Sequence, residues 1–254
     1  MSLSARVIPF LLLSSEGLVK TVAFKNRKYV GDPINCVRIF NTKEVDELVI
    51  LDIDATAQKR EPYFDIIEDI VSEAFMPVGY GGGVSKIEHF DRLFKIGIDK
   101  IVVNTLFYEN PKLITEAISK FGSQSIVLSL DVKNDFFGRQ RLVSHCGRKT
   151  QKLALERALV MVDELGFGEV VVNAIDRDGT MKGYDLELVA SVYGRLDMPV
   201  VALGGASGPD DFARAINLGV SGVGAGSAFI FEGPKRAVLI SYPSRKELVT
   251  LLGE

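Results

Sequence analysis

The chain repeats itself at a shift of 122 residues. "MPVGYGGGVSKIEHFDRLFKIG", Met76 to Gly97, aligns without a gap on "MPVVALGGASGPDDFARAINLG", Met198 to Gly219. The same shift sets Ile53-Asp54 on Ile175-Asp176 and Phe107 on Phe229, so the match reaches through about half of the 254 residues. Two similar units, each unable to bury its apolar face alone, are expected to stack on one another.

Each unit alternates short β-branched runs with longer amphipathic segments. "RVIPFLLL", "DELVILDID", "MPVGYGGG", "DKIVVNT", "SIVLSLD", "EVVVNAID", "MPVVALGG" and "VSGVGAG" read as eight strands. Between them, "PYFDIIEDIVSEA", "KIEHFDRLFKIG", "NPKLITEAISKFG", "KLALERALVMVDELG" and "PDDFARAINLG" carry apolar residues at helical spacing, and several stop at glycine. Parallel neighbours need a helical crossover, so eight alternations predict an α/β protein, a (β/α)8 TIM barrel with an internal two-fold half-barrel repeat. An open doubly wound sheet shares the alternation but does not need the repeat. The expected organisation is one domain over residues 1–254, with half-barrels at about 1–122 and 123–254.

Lys plus Arg total 30 against 33 Asp plus Glu, a formal net charge of −3. That balance offers no basic footprint for nucleic acid and no polybasic membrane patch. Cys36 and Cys146 lack metal or CxxC spacing, and the N-terminus lacks the pattern of a signal peptide. No apolar stretch reaches the ~18–20 residues of a spanning helix. A soluble, cytoplasmic protein with no metal or redox cofactor is expected. His89 and His145 are the histidines, so acid/base chemistry falls mainly on Asp, Glu or Lys. His145, in "SHCGRKT", has loop-like surroundings.

In such barrels the working face lies at the C-terminal ends of the strands. Gly82-Gly83 ends the third strand and Gly204-Gly205 the seventh, each ahead of a helix start that carries Ser or Asp. Asn104-Thr105 follows the fourth strand and Gly226-Ser227 the eighth. Backbone N–H groups at these turns can close on anions, and the repeat sets two such cradles facing each other. A ligand phosphorylated at both ends is implied. "DRDGTMKGYD", residues 176–185, reads as an acidic loop built on an Asp-Gly turn.

The motifs "RVIP", "GDP", "DELVILDI", "GGGV", "VNT", "LSLDVK", "AIDRDGTMKGYD" and "GGA" together resemble HisF, the cyclase subunit of imidazole glycerol phosphate synthase, up to about Phe231. That resemblance implies a barrel with two phosphate sites, ammonia received from a HisH-like glutaminase through the barrel interior, and ring closure by two aspartates. By motif, the second aspartate is Asp131 and the mobile first-loop lysine is Lys20. Phosphate contacts fall on Gly82, Gly83, Asn104, Thr105, Asp178, Gly179, Gly204, Gly205, Gly226 and Ser227. Arg6, Glu47, Lys100 and Glu169 match a charged ring that gates ammonia entry; ion pairing among them would in any case close the barrel floor.

Two stretches depart from the family. Where it reads Arg-x-x-Pro-x-Leu-Asp-Val, this chain reads Arg6-Val7-Ile8-Pro9-Phe10-Leu11-Leu12-Leu13, so the first aspartate is Leu12. Asp52 or Asp178 would have to substitute for it. An apolar Leu12 would also tend to raise the pKa of a buried Asp131. The end, "FEGPKRAVLISYPSRKELVTLLGE", replaces the family's usual last loop and helix. Both departures resemble the AglZ-type acetamidino modification branch, which implies ammonia relay to an ATP-dependent sugar amidotransferase in surface-polysaccharide synthesis. A genuine cyclase of histidine biosynthesis is the alternative; a non-catalytic phosphate-binding scaffold is a third reading.

Overall fold

In the computed structural model, which describes residues 5–252, the apolar runs become the staves of a closed barrel. They are β1 (Arg6–Ser14), β2 (Leu48–Asp52), β3 (Val78–Gly81), β4 (Lys100–Val103), β5 (Ile126–Asn134), β6 (Glu169–Ala174), β7 (Val200–Leu203) and β8 (Gly222–Ala225). Each pairs in parallel with the next. Ring closure comes from β8 against β1, in the register Arg6 with Gly222 through Pro9 with Ala225. That last ladder excludes the open sheet.

Eight helices wrap the barrel: α1 (Pro33–Thr42), α2 (Phe64–Glu73), α3 (Ile87–Ile96), α4 (Pro111–Phe121), α5 (Leu155–Leu165), α6 (Leu186–Tyr193), α7 (Pro209–Ile216) and α8 (Arg245–Leu252). Local signals set their ends. Asp32, Asn110 and Asp185 accept the third helical N–H of α1, α4 and α6, satisfying an orphan donor. Gly97 and Gly166 take the left-handed conformation that closes α3 and α5.

Strand alternation divides the apolar residues into two cores. Leu11 and Leu13 of β1 point outward and join the larger core beneath the helices, with Phe40, Phe90 and Phe212. Ile8, Phe10, Val49, Val102, Val127, Val171, Val201 and Leu203 point inward and fill the barrel. Each fully buried side chain of this kind contributes roughly 1.5–3 kcal/mol, which fixes which face of a strand looks in.

The sequence expectation contains no strands beyond these eight. An antiparallel hairpin, Gly17–Val22 with Lys25–Gly31, extends β1, and a second extends β5 through Gln140–Ser144. Short helices, Thr105–Glu109 and Ser227–Ile230, follow β4 and β8 directly. Among the described residues no helix is long and apolar enough to cross a membrane.

Candidate functional site

Alternation places Arg6, Ile8, Phe10 and Leu12 on one face of β1, from floor to mouth. Leu12 therefore looks into the cleft at the C-terminal end of the barrel. Directly across the ring, β5 presents Ser129 and Asp131 by the same period of two. Asp131 is 7% exposed, and its Oδ1 accepts from Ser129 Oγ and from Asn173 Nδ2, both at 3.1 Å. Burial pushes its carboxyl up to about 7, against the pull of those two hydrogen bonds. A group near neutrality can hold or release a proton at working pH. No carboxylate stands opposite on β1.

Lys20, on the hairpin after β1, reaches the same cleft but not as a free amine. Its Nζ donates to the Phe10 carbonyl at 2.5 Å and lies over Gly226, where a side chain would collide with it. Burial lowers its pKa to about 8, while the charge of Asp178 works the other way. Asp178 is raised to about 6 by burial, and Thr21 Oγ1 lies 3.5 Å from its Oδ2. The lysine thus sits at the Gly226-Ser227 turn, as a cation beside one of the expected anion cradles.

Asp52 also lines the cleft, yet its carboxylate is fully engaged. Arg60 reaches both oxygens, at 2.9 and 2.7 Å, and Oδ1 accepts from the Asp54 and Ala55 N–H groups. The Arg60 guanidinium in turn stacks on Tyr63. Such a carboxylate anchors the loop after β2, a role unlike that of a substitute for the acid missing at Leu12.

The structure brings one cradle together in full and the other in part. Gly82, Gly83, Asn104 and Thr105 share the cleft wall. Gly82 and Gly83 have φ of 125° and 70°, and a Cβ on Gly82 would run into the Asp52 carbonyl, so glycine is required. Asn104 Nδ2 donates to the Ser129 carbonyl at 2.9 Å; Thr105 Oγ1 accepts from His145 N at 3.1 Å, leaving its own proton to donate. On the other side Gly226, Ser227 and Asp178 line the cleft. Gly179, Gly204 and Gly205 lie outside that lining: the Gly205 carbonyl accepts from Gly183 N at 2.8 Å, and Gly179 packs on the Thr21 carbonyl.

At the floor, Arg6, Glu47, Lys100 and Glu169 form a closed ring. Arg6 bonds Glu47 at 2.5 Å and also Glu169; Lys100 bonds Glu47 at 3.0 Å and Glu169 at 2.8 Å. Alternating charge on four inward positions satisfies every member. Among the described residues no group of three or more His, Cys, Asp or Glu is spaced to hold a metal ion.

Sequence reasoning missed Asn173, Ser129, Arg27, Arg60 and Arg148. Ser129 and Asn173 carried a readable signal, a polar residue within an otherwise apolar strand and in phase with the barrel interior. Arg27, paired with Asp54 at 2.6 Å, reaches the cleft from the exposed hairpin strand Lys25–Gly31, and Arg148 from a turn, so neither carries an apolar periodicity to mark it. His145 lies in a turn, as its composition suggested, with Nε2 at 3.3 Å from Glu109.

The family model described as "Histidine biosynthesis protein" matches residues 6–234. The provisionally named imidazole glycerol phosphate synthase subunit hisF2 of Pseudomonas aeruginosa is 46% identical over 247 residues, covering 96% of this chain and 97% of that protein. Its counterpart hisF3 of Vibrio vulnificus, also provisionally named, is 45% identical over 96% of this chain and 95% of its own length. Imidazole glycerol phosphate synthase subunit HisF of Thermobifida fusca is 37% identical over 91% of this chain and 92% of its own. With a closed parallel barrel, a glycine-lined mouth and likeness of this extent along nearly the whole length, the chain belongs to the HisF family of imidazole glycerol phosphate synthase subunits.

Proposed function

We propose that this barrel is the synthase subunit of a glutamine-dependent amidotransferase complex and relays ammonia from floor to mouth. A HisH-like glutaminase would dock at the floor ring. An ATP-dependent amidotransferase would take up the ammonia to convert a surface-polysaccharide sugar to its acetamidino form. The observation that carries this reading is Leu12: it looks into the cleft from the strand opposite Asp131, where a second proton-transferring group would stand. A positioned acid or base is worth about 10²–10⁴ in rate, and a leucine cannot transfer a proton. Relay needs the interior and the floor, not that acid. Identity supports a separate branch, at 43–46% to the provisionally named subunits against 37–38% to those named plainly HisF.

In this reading the first cradle and the Gly226-Ser227 turn with Lys20 bind a phosphorylated ligand, and Asp131 handles one proton. A second reading, a working cyclase in histidine biosynthesis, is favoured by the carboxyl of Asp131 standing near neutrality. Complementation of a histidine auxotroph separates the two: growth supported by this chain would reject relay as its sole role, and absence of growth is expected.

A further inference from the structure

Two spaces in the barrel meet at Phe10. Phe10 lines the mouth cleft, and it also lines a small second cavity bounded by Ile8, Val49, Val127, Val171 and Val201, with Glu47, Lys100 and Glu169 beneath. Phe10 and Val102 are the residues common to both linings. The ring occupies room that β8 leaves open, for a methyl group on Gly224 would stand 2.6 Å from Phe10 Cε2 and 3.0 Å from Leu203 Cδ1. Its backbone is held firmly: Phe10 pairs with Val49, and its carbonyl accepts the Lys20 ammonium at 2.5 Å. Side-chain rotation is therefore the movement left to it, and the open cleft lies on the mouth side.

We propose that the Phe10 ring is a hydrophobic valve in the barrel bore, separating the cavity above the charged floor ring from the mouth and selecting small neutral molecules over ions. That the molecule passed is ammonia rests on the relay reading above; the closure itself does not. The chemistry of the walls sets the selection. Above the charged floor ring, six aliphatic side chains and an aromatic ring offer no hydrogen-bond partner, so an ammonium ion rising from the floor would lose its hydration at Phe10 without compensation, whereas neutral ammonia loses far less. A swing of one ring between staggered positions opens such a constriction without disturbing the strands.

The test is chemical access to a cysteine behind the ring. Val127→Cys places a thiol in the inner cavity, Cys146→Ser removes the thiol at the mouth, and methyl methanethiosulfonate is the small neutral probe. With Phe10 present, position 127 should label slowly. Phe10→Ala should speed labelling roughly tenfold or more, equivalent to about 1.4 kcal/mol of barrier per factor of ten. Val49→Ala enlarges the same cavity while leaving the ring in place, and should label as slowly as the parent. Native Cys36, 3% exposed in the outer core, reports folding and should keep its rate in every variant. Phe10→Leu serves if Phe10→Ala does not fold. Equal acceleration by Val49→Ala, or none by removal of the ring, would overturn the valve. Because no glutaminase or acceptor takes part, these outcomes are independent of whether the relay reading stands.

Discussion

Asn173 Nδ2 donates to Asp131 Oδ1 at 3.1 Å, across the β5–β6 ladder in which the two residues are direct partners. Asn173 also shares the inward face of β6 with Val171 and Glu169, so one strand connects the floor ring to the mouth carboxyl.

Asp131 should titrate near pH 7 in a carbon-13 carboxyl NMR experiment, because burial outweighs its two hydrogen bonds. Removing one of those donors with Asn173→Leu should move the midpoint higher still. A midpoint near 4 in the parent would show that the mouth is far wetter than described.

The same shift sets a pH dependence of stability. An unfolded chain releases this proton near 3.8 and the folded one near 7, so between those values the folded state binds more protons. Stability therefore falls as pH rises through that window, and Asp131 in its ionised form is a liability. Asp131→Asn should be more stable than the parent above pH 7, by on the order of 4 kcal/mol, with the difference closing by about pH 4. Urea unfolding at the two pH values reads this directly.

Arg60→Ala should destabilise the fold by about 3 kcal/mol or more, since it leaves the buried Asp52 carboxylate without its partner. Arg38→Ala, which breaks the exposed pair with Glu73, should leave the unfolding curve unchanged within error. Equal losses at the two sites would remove the case for Asp52 as an anchor.

Gly82→Ala should cost about 2 kcal/mol or more, because alanine there must hold a φ of 125° against the Asp52 carbonyl. Gly208→Ala meets nothing within 4 Å and should be neutral or slightly stabilising. Thermal unfolding of the pair distinguishes a required turn from a tolerated one.

The barrel was legible because its strands are β-branched and its halves repeat. Strand phase also placed Leu12 and Asp131 correctly at the mouth, since a period of two leaves only two choices of face. The hairpins were not legible: the Lys25–Gly31 strand is almost wholly exposed, so no apolar alternation marks it. Arg60 was invisible for a different reason, being eight residues beyond its partner in an irregular loop. Gly204-Gly205 could be read as a turn, but which way the turn closes depends on Gly183, whose approach no local pattern encodes.

The central claim concerns Leu12, and cyclase turnover in the parent beside Leu12→Asp, with ammonium and the nucleotide substrate supplied directly, tests it most directly. The account predicts no detectable turnover in the parent and a gain in the variant that Asp131→Asn abolishes. Turnover in the parent that depends on Asp131 and is not raised by Leu12→Asp would contradict it.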